Sequence, residues 1–284
     1  MILKRLIVLM AILLSTQPAF SAVRYSLSEF QEQSLGGGFG FVKVDGQNLA
    51  KIGLSPNLEF GGLILGLDIN AYFPSDGGTV PDSLNTISVR KIGYNHNDQF
   101  GFLWGRLAGE TFGYGLLMEN YDSGSFGGTE FTNDQAATKV YGTYADTKLT
   151  VLNSSTNLQA IRLERPLYGP FTVGVNYVTD NDGVNQTIGE TTVTRNKQTG
   201  MAVDIGMPLG TGHLFAEYAK LSEEGEGNGL AAGYKGALGP VKYRAVYRSL
   251  SKGFVPAYYN EQYEATGFDF NTDAPTKDTS GYSV

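Results

Sequence analysis

Along much of this chain, apolar and polar residues alternate with a period of two. From Ala50 to Phe60 the even positions carry Ala, Ile, Leu, Pro, Leu and Phe, whereas the odd positions carry Lys, Gly, Ser, Asn and Glu. Successive side chains of a β-strand point to opposite faces of a sheet, so this segment has one apolar and one polar face.

The same alternation recurs at 63–73, 171–177, 201–207 and 241–248. The apolar faces run for five or six alternating positions, nearer to the roughly 9–11 residues of a tilted membrane strand than to the typical 5–6 of soluble sheets. The polar face carries charges in mid-strand, such as Asp68, Asp204 and Arg244. We therefore predict an all-β fold, an antiparallel transmembrane β-barrel of about 14 or more strands. A soluble antiparallel sandwich also alternates and is the structural alternative.

The N-terminus has the features of an export signal. Lys4 and Arg5 precede the apolar run Leu6–Leu14, and small residues follow around Ala22. The run is shorter than the roughly 20 residues that span a bilayer, so 1–21 is predicted to be a Sec-type signal peptide, with an uncleaved anchor as the alternative. We assign 22–36 to a periplasmic segment and 37–284 to the barrel. The predicted location is the bacterial outer membrane.

Charge and composition exclude several classes. The formal net charge is −7, and it becomes more negative when the two N-terminal cations leave with the signal. Nucleic-acid binding depends on Lys and Arg neutralising phosphates, so nucleic acid is not expected as a partner. The chain has no cysteine, which rules out disulfides and thiolate chemistry. No later apolar run is long enough for a membrane helix.

The spacing of polar segments predicts the topology. Outer-membrane barrels have tight turns on the periplasmic side and long loops outside. With a first strand at Phe39–Val44, short connections are expected at 95–98, 167–170, 208–212 and 237–240. Long ones are expected at 74–85, 122–137, 180–199, 222–228 and 250–279.

Strand parity requires one irregular segment. If Phe100–Leu107 and Phe112–Tyr121 were both full strands, every later long loop would fall on the periplasmic side. We therefore predict that Ala108–Gly115 leaves the regular strand and folds inward, where Gly113, Tyr114 and Gly115 form a candidate pore constriction. A simple bulge is the alternative.

The strand count leaves the C-terminal end open. About thirteen strands are complete by Leu250, and Ser280–Val284 begins another. Bacterial single-chain barrels have even strand numbers, and an open edge in lipid leaves backbone groups without partners. We expect either fourteen strands or a C-terminally incomplete barrel, and favour the latter.

The polar face supplies the predicted lining of the lumen. Rings of charge set channel selectivity, and Lys242, Arg244 and Arg248 form a basic ladder on one strand. The alternative is that mixed charges pair across the wall and keep the interior wet or plugged. The lumen-facing candidates are Lys51, Glu59, Asp68, Asn70, Arg162, Glu164, Asp204, Glu217, Lys235, Lys242, Arg244 and Arg248.

No catalytic, cofactor or metal site is predicted. The two histidines, His96 and His213, both fall at predicted tight turns, away from each other. Zinc needs three or four suitable ligands, which two separated histidines do not supply. We therefore do not expect an enzyme or a bound cofactor.

Four motifs carry a resemblance to a known group. Gly66–Asn70, Gly113–Met118, Val173–Asp180 and Gly253–Tyr259 resemble stretches of an uncharacterised family of large, porin-like bacterial outer-membrane β-barrel proteins, in the same order. The resemblance implies an outer-membrane barrel whose chain continues for further strands beyond 254–256. It implies no substrate and no catalytic residue.

The expected function is a porin-like channel for passive passage or uptake of small solutes. The alternative is a non-conducting structural or surface-interaction barrel. Expected partners are outer-membrane lipids, small solutes and, during biogenesis, the barrel-assembly machinery.

Overall fold

β-Strands make up the regular structure of the described chain. The computed structural model describes 35–44, 47–74, 85–97, 99–124, 136–181, 185–188, 191–194, 197–223, 226–238, 241–264 and 274–283. The predicted signal peptide, 1–21, lies outside these residues, as does almost all of 22–36. In the described part of the chain, no helix has the length and apolar character needed to cross a membrane.

Eighteen strands are described. In chain order they are β1 (Leu35–Val44), β2 (Gln47–Phe60), β3 (Leu63–Pro74), β4 (Thr86–His96), β5 (Phe100–Gly105), β6 (Glu110–Phe112), β7 (Met118–Tyr121), β8 (Ala137–Tyr144), β9 (Thr147–Ser154), β10 (Leu158–Pro166), β11 (Thr172–Asp180), β12 (Asn185–Ile188), β13 (Thr191–Thr194), β14 (Gln198–Leu209), β15 (Gly212–Glu223), β16 (Gly227–Leu238), β17 (Val241–Leu250) and β18 (Thr279–Ser283).

Fourteen of these strands form one antiparallel sheet in chain order, while β6–β7 and β12–β13 form separate two-stranded sheets. The predicted all-β antiparallel fold is confirmed. The strand count is also confirmed, because thirteen strands of the sheet end by Leu250 and β18 is the fourteenth. β1 begins at Leu35, two residues before the predicted boundary at 37. No pairing of β1 with β18 is recorded within the described strands, so closure into a barrel stays a prediction.

The two ends of the sheet differ in their connections. Following the antiparallel strands, the six connections at one end are all short, and we call this the short-turn end. The connections after β3, β5, β11 and β17, which are the long ones, all leave from the opposite end, as predicted. The prediction of a long loop at 222–228 is wrong. Ser222 and Glu223 pair with Thr199 and Gln198, so β15 continues through them.

One face of the sheet, here called the outer face, is exposed and apolar. It includes Phe60, Ile87, Phe100 and Met201. In strands β2–β5, β8–β11 and β14–β17, only two charged side chains alternate onto this face, namely Arg165 near the short-turn end and Lys220 near the opposite end. The other face, the inner face, carries nearly all the charge of these strands.

The sheet curves around its inner face. Lys139 on β8 and Arg244 on β17 contact Glu110 and Glu119, which lie on the paired strands β6 and β7. β8 and β17 are seven places apart in the sheet. At about 4.8 Å per strand, a flat sheet would separate them by about 34 Å. The inner face is therefore concave, and β6–β7 lies within its curve.

Candidate functional site

A hairpin between β5 and β8 lies against the inner face. The chain leaves the sheet after Gly105, forms β6, a turn and β7, and returns as β8, the next neighbour of β5. We call residues 106–124 the inner hairpin. The turn uses Gly113 and Gly115, with φ angles of 68° and 91° that favour glycine. The predicted departure from a regular strand at 108–115 is confirmed and extends further than expected.

The tip of the inner hairpin is bound by β15. One carboxylate oxygen of Glu217, Oε2, accepts hydrogen bonds from the backbone N–H groups of Tyr114 and Leu116, at 3.2 and 2.9 Å. The Tyr114 ring stacks on Phe215, with centroids 4.3 Å apart. A single acidic side chain therefore holds the turn, and an aromatic neighbour fixes its orientation.

β16 and β17 contact the same tip with cations. Arg244 forms an ion pair with Glu119 and donates a hydrogen bond to the carbonyl oxygen of Tyr114 at 3.3 Å. The Nζ atom of Lys235 lies 4.7 Å from the centre of the Tyr114 ring, in cation–π geometry. All three candidate constriction residues, Gly113, Tyr114 and Gly115, thus lie where the hairpin meets the inner face.

Two glycines allow the tip of the inner hairpin to lie close to the inner face of the sheet. A Cβ added to Gly206 on β14 would overlap the Tyr114 hydroxyl oxygen. A Cβ added to Gly113 would lie 2.6 Å from Oε1 of Glu217. Any larger residue at either position must move the tip or the wall.

Beside the tip lies a buried charged network centred on Arg162. Its guanidinium donates to both carboxylate oxygens of Asp204, at 2.6 and 3.1 Å, and to Oδ1 of Asn176 at 2.7 Å. Its Nε donates to Glu164 at 2.9 Å. Bidentate pairs of this type are strong and directional, so β10, β11 and β14 are cross-linked on their inner face.

Further ion pairs anchor the rest of the hairpin. Lys139 on β8 and Glu110 on β6 are both buried, with Nζ and Oε2 2.7 Å apart. At the base of the hairpin, Arg106 donates to both carboxylate oxygens of Asp122, at 3.1 and 2.7 Å. The hairpin is therefore fixed at its base, along one side and at its tip.

A second segment, residues 253–264, packs on the hairpin, and we call it the strap. The N–H groups of Ala257 and Tyr259 donate to the carbonyls of Leu116 and Leu117, at 2.8 and 3.3 Å. The N–H of Glu119 in turn donates to the carbonyl of Tyr259 at 3.0 Å. The strap thus extends the hairpin as an additional backbone layer.

Aromatic side chains fasten the strap to the wall. The hydroxyl of Tyr259, a fully buried residue, donates to the carbonyl of Gln198 at 2.8 Å, and that of Tyr263 donates to Asp180 at 2.6 Å. Burial raises the pKa of both hydroxyls above the ordinary value, so both remain donors at neutral pH. Glu264 accepts from Tyr121 at 2.5 Å and from Thr156 at 2.8 Å.

The prediction of a polar loop over 250–279 is therefore wrong for the strap. Phe254, Tyr258, Tyr259 and Tyr263 are all buried. Burying an aromatic side chain releases a large apolar area from water, which favours packing over an exposed loop.

All twelve lumen-facing candidates lie on the inner face. Lys51 is half-buried with its Nζ 5.5 Å from the centre of the Tyr72 ring, whereas Glu59 and Lys242 are exposed near the short-turn end. Asp68 accepts from Ser55 at 2.7 Å and pairs with Arg90 at 3.3 Å. The residues follow the alternation: Lys51, Glu59, Asp68, Asn70, Arg162, Glu164, Asp204, Glu217, Lys235, Lys242, Arg244 and Arg248.

Three of the cations on β16 and β17 are left without an acidic partner. Lys235, Lys242 and Arg248 form no ion pair with any described residue, and the pair of Arg244 with Glu119 neutralises one charge of the group. The four cations outnumber the two carboxylates at the hairpin tip, Glu119 and Glu217, so this part of the inner face has a net positive charge although the whole chain is acidic.

The sequence analysis did not identify the residues that form ion pairs in and around the inner hairpin. Lys139 was detectable, since it is a charged residue at an inward position of the alternation in β8. Glu110, Glu119, Asp122 and the strap residues carry no such periodic signal, because they lie outside the main sheet.

The histidines lie far from this network. His96 is on the outer face at the short-turn end, where its ring stacks on Phe100 at 4.9 Å and Nδ1 lies 3.3 Å from the Tyr94 hydroxyl. His213 is exposed near the same end. Within the described ranges, no group of three or more His, Cys, Asp or Glu is arranged to hold a metal ion.

Comparison with known proteins identifies no family. No family model and no curated protein matches the chain. Two solved mutants of the Rh. blastica porin are similar at 11% and 12% identity, each with a TM-score of 0.31 and covering 78% of this chain and 95% of theirs. A structure described as "Asymmetric conductivity of engineered proteins" is similar at 11% identity and a TM-score of 0.32, covering 78% of this chain and 94% of its own. These values establish neither family nor function.

Proposed function

We propose that this chain is a porin-like channel of the bacterial outer membrane, through which small solutes pass passively. One observation carries the proposal: a curved sheet has an apolar, nearly uncharged outer face and a concave inner face that carries charged groups. Lipid tails suit the first face, and water and solutes suit the second. No catalytic step is part of the proposal.

The dimensions of the outer face suit a bilayer. On β14 the apolar positions from Met201 to Leu209 are eight steps apart, which is about 26 Å along the strand at roughly 3.3 Å per residue. Tilted strands of outer-membrane barrels carry an apolar band about 25 Å tall, flanked by aromatic residues. Phe60 and Phe171 at the short-turn end, with Phe73 and Tyr247 towards the other end, suit those flanks.

Side chains at the tip of the inner hairpin are partly exposed to water, which supports a solute path along the inner face. The side chains of Arg244 and Glu119 at the tip of the hairpin remain 27% and 24% exposed. The unpaired cations Lys235 and Arg248 lie on the same wall. Fixed charge in a narrow path attracts ions of opposite sign, so we propose that this path prefers anions and that the tip of the inner hairpin is its constriction.

Conductance measurement tests the function. We expect the refolded protein to produce discrete current steps in planar bilayers, with a reversal potential in a salt gradient that indicates anion preference. Protein that inserts as a folded barrel but gives no current would contradict the channel.

Arg244→Glu is expected to shift the preference towards cations. The change places two carboxylates at the tip and removes the pair with Glu119, making the local charge more negative by two. Reversal potential is the measurement. The matched control is the double exchange Glu119→Arg with Arg244→Glu, which restores both the pair and the charge and should return the potential close to that of the wild type. An unchanged potential in the single variant would mean that Arg244 does not line the path.

The competing function is a non-conducting structural or surface-interaction barrel. The strap supports it, because the strap and hairpin together bury Leu117, Met118 and Tyr259 completely. If the strap and the inner hairpin close the interior, we expect no current from the wild-type protein in planar bilayers, and we expect variants without the strap to conduct.

A further inference from the structure

A groove on the outer face lies close to the short-turn end. Its volume is about 630 Å³, and Phe100, Gly142, Tyr144, Leu149 and Arg165 are among the residues that line it. It is separate from the inner hairpin, since the lining strands β5, β8, β9 and β10 contribute outward-facing side chains to it.

Strand register creates the groove. Gly142 on β8 is paired directly with Phe100 on β5 and with Leu149 on β9. A Cβ added to Gly142 would meet no atom within 4 Å, so an open notch lies between two large apolar side chains. Phe100 is 51% exposed, Leu149 is 44% exposed, and Tyr144 at the end of the notch is 87% exposed. The side chains that border the notch are apolar.

One cationic side chain, Arg165, lies at the end of the groove that is nearest the short-turn end of the sheet. Arg165 is exposed, lies two residues beyond Leu163 of the same outward row, and forms no ion pair with a described residue. Two residues correspond to about 7 Å along a strand. The other charged side chain of this face, Lys220, is at the opposite end of the sheet. An Arg guanidinium matches phosphate oxygens in a bidentate geometry.

We propose that this groove binds one phospholipid, with its phosphate on Arg165 and an acyl chain lying over Gly142. The apolar notch and the cation are arranged in the order in which a lipid presents its tail and headgroup. The site rests on the membrane placement in the proposed function, but it does not require a conducting interior.

Native mass spectrometry of the full chain, released from detergent micelles that contain phosphatidylglycerol, tests this site. We expect wild type to retain one lipid. Arg165→Gln removes a charge-assisted hydrogen bond and should reduce retention by about tenfold. Gly142→Leu fills the notch with an apolar side chain at a position free of steric conflict, so it should leave folding intact and also reduce retention. The matched control is Lys220→Gln, which removes the other outward cation and should retain lipid as wild type does.

Several outcomes of the lipid-retention experiment would overturn the proposed site. Equal retention in wild type and Arg165→Gln overturns the site, as does equal loss in all three variants, which would indicate unspecific charge attraction. Retention by Gly142→Leu that equals the wild-type value would mean that the acyl chain does not lie in the notch, and would also overturn it. A protein that retains the lipid but never conducts keeps this proposal and removes the channel, whereas a conducting protein without bound lipid does the reverse.

Discussion

Removal of the inner hairpin is expected to raise single-channel conductance several-fold. The hairpin occupies the concave side of the sheet and is held there by Glu217, Arg244 and Lys139. At its base, Leu107 and Ser123 are joined by a backbone hydrogen bond of 2.8 Å. Replacing residues 108–121 by Asn-Gly therefore removes the part of the hairpin that lies on the inner face, while residues 106–107 and 122–136 still connect β5 to β8. Planar-bilayer recording is the measurement.

A point substitution tests, with a smaller change than the deletion, whether the inner hairpin limits the conductance. Gly206→Leu places atoms where the Tyr114 hydroxyl now lies, so it should displace the tip and raise the conductance less than the deletion does. Gly38→Leu is the matched control, since a Cβ there meets nothing within 4 Å. Conductance that stays at the wild-type value in both the deletion and Gly206→Leu would show that the hairpin does not limit the flow.

Asp204→Ala is expected to lower the free energy of unfolding by about 3 kcal/mol, the lower end of the usual cost of breaking a buried pair, because Glu164 still pairs with Arg162. Asp204 is buried and accepts three hydrogen bonds, two from Arg162 and one from Asn176 at 3.1 Å. In this variant the remaining acidic partner of Arg162 is Glu164, whose carboxylate lies 2.9 Å from the Nε atom of Arg162. Urea-induced unfolding in lipid vesicles measures the change.

The double variant Arg162→Leu with Asp204→Leu separates a buried charge from lost packing. Replacing both members of a buried pair by apolar residues is often neutral, because neither charge is left without a partner. We expect the double variant to be more stable than Asp204→Ala. A double variant as unstable as the single one would mean that the ion pair itself, and not an isolated cation, sets the stability of the wall.

The period-two pattern was sufficient to predict the sheet and the faces of its strands. Arg162 and Asp204 lie on different strands, 42 residues apart, yet alternation alone assigned both to the same face. Strand parity was equally informative. It predicted that Ala108–Gly115 departs from a regular strand, and this segment lies in the inner hairpin, although the whole stretch between β5 and β8, and not only 108–115, is outside the main sheet.

What the sequence did not reveal are the contacts of segments outside the sheet. The partner of the inner hairpin is the strap, and no periodicity links Leu116 with Ala257 or Tyr121 with Glu264. Alternation reports which way a strand residue points, but it carries no information about an irregular segment. Two of the four motifs behind the resemblance, Gly113–Met118 and Gly253–Tyr259, are the parts of these segments that contact each other.

The distance along the chain between hairpin and strap has a consequence for the order of folding. The hydroxyl of Tyr121 bonds to Glu264, 143 residues later. Contacts of such separation form slowly, because the ends of a long loop must first meet. β8 to β17 are synthesised between the two segments, so these strands can pair with their neighbours before the strap arrives. The interior is therefore expected to receive the strap after strands β1–β17 of the surrounding wall have paired.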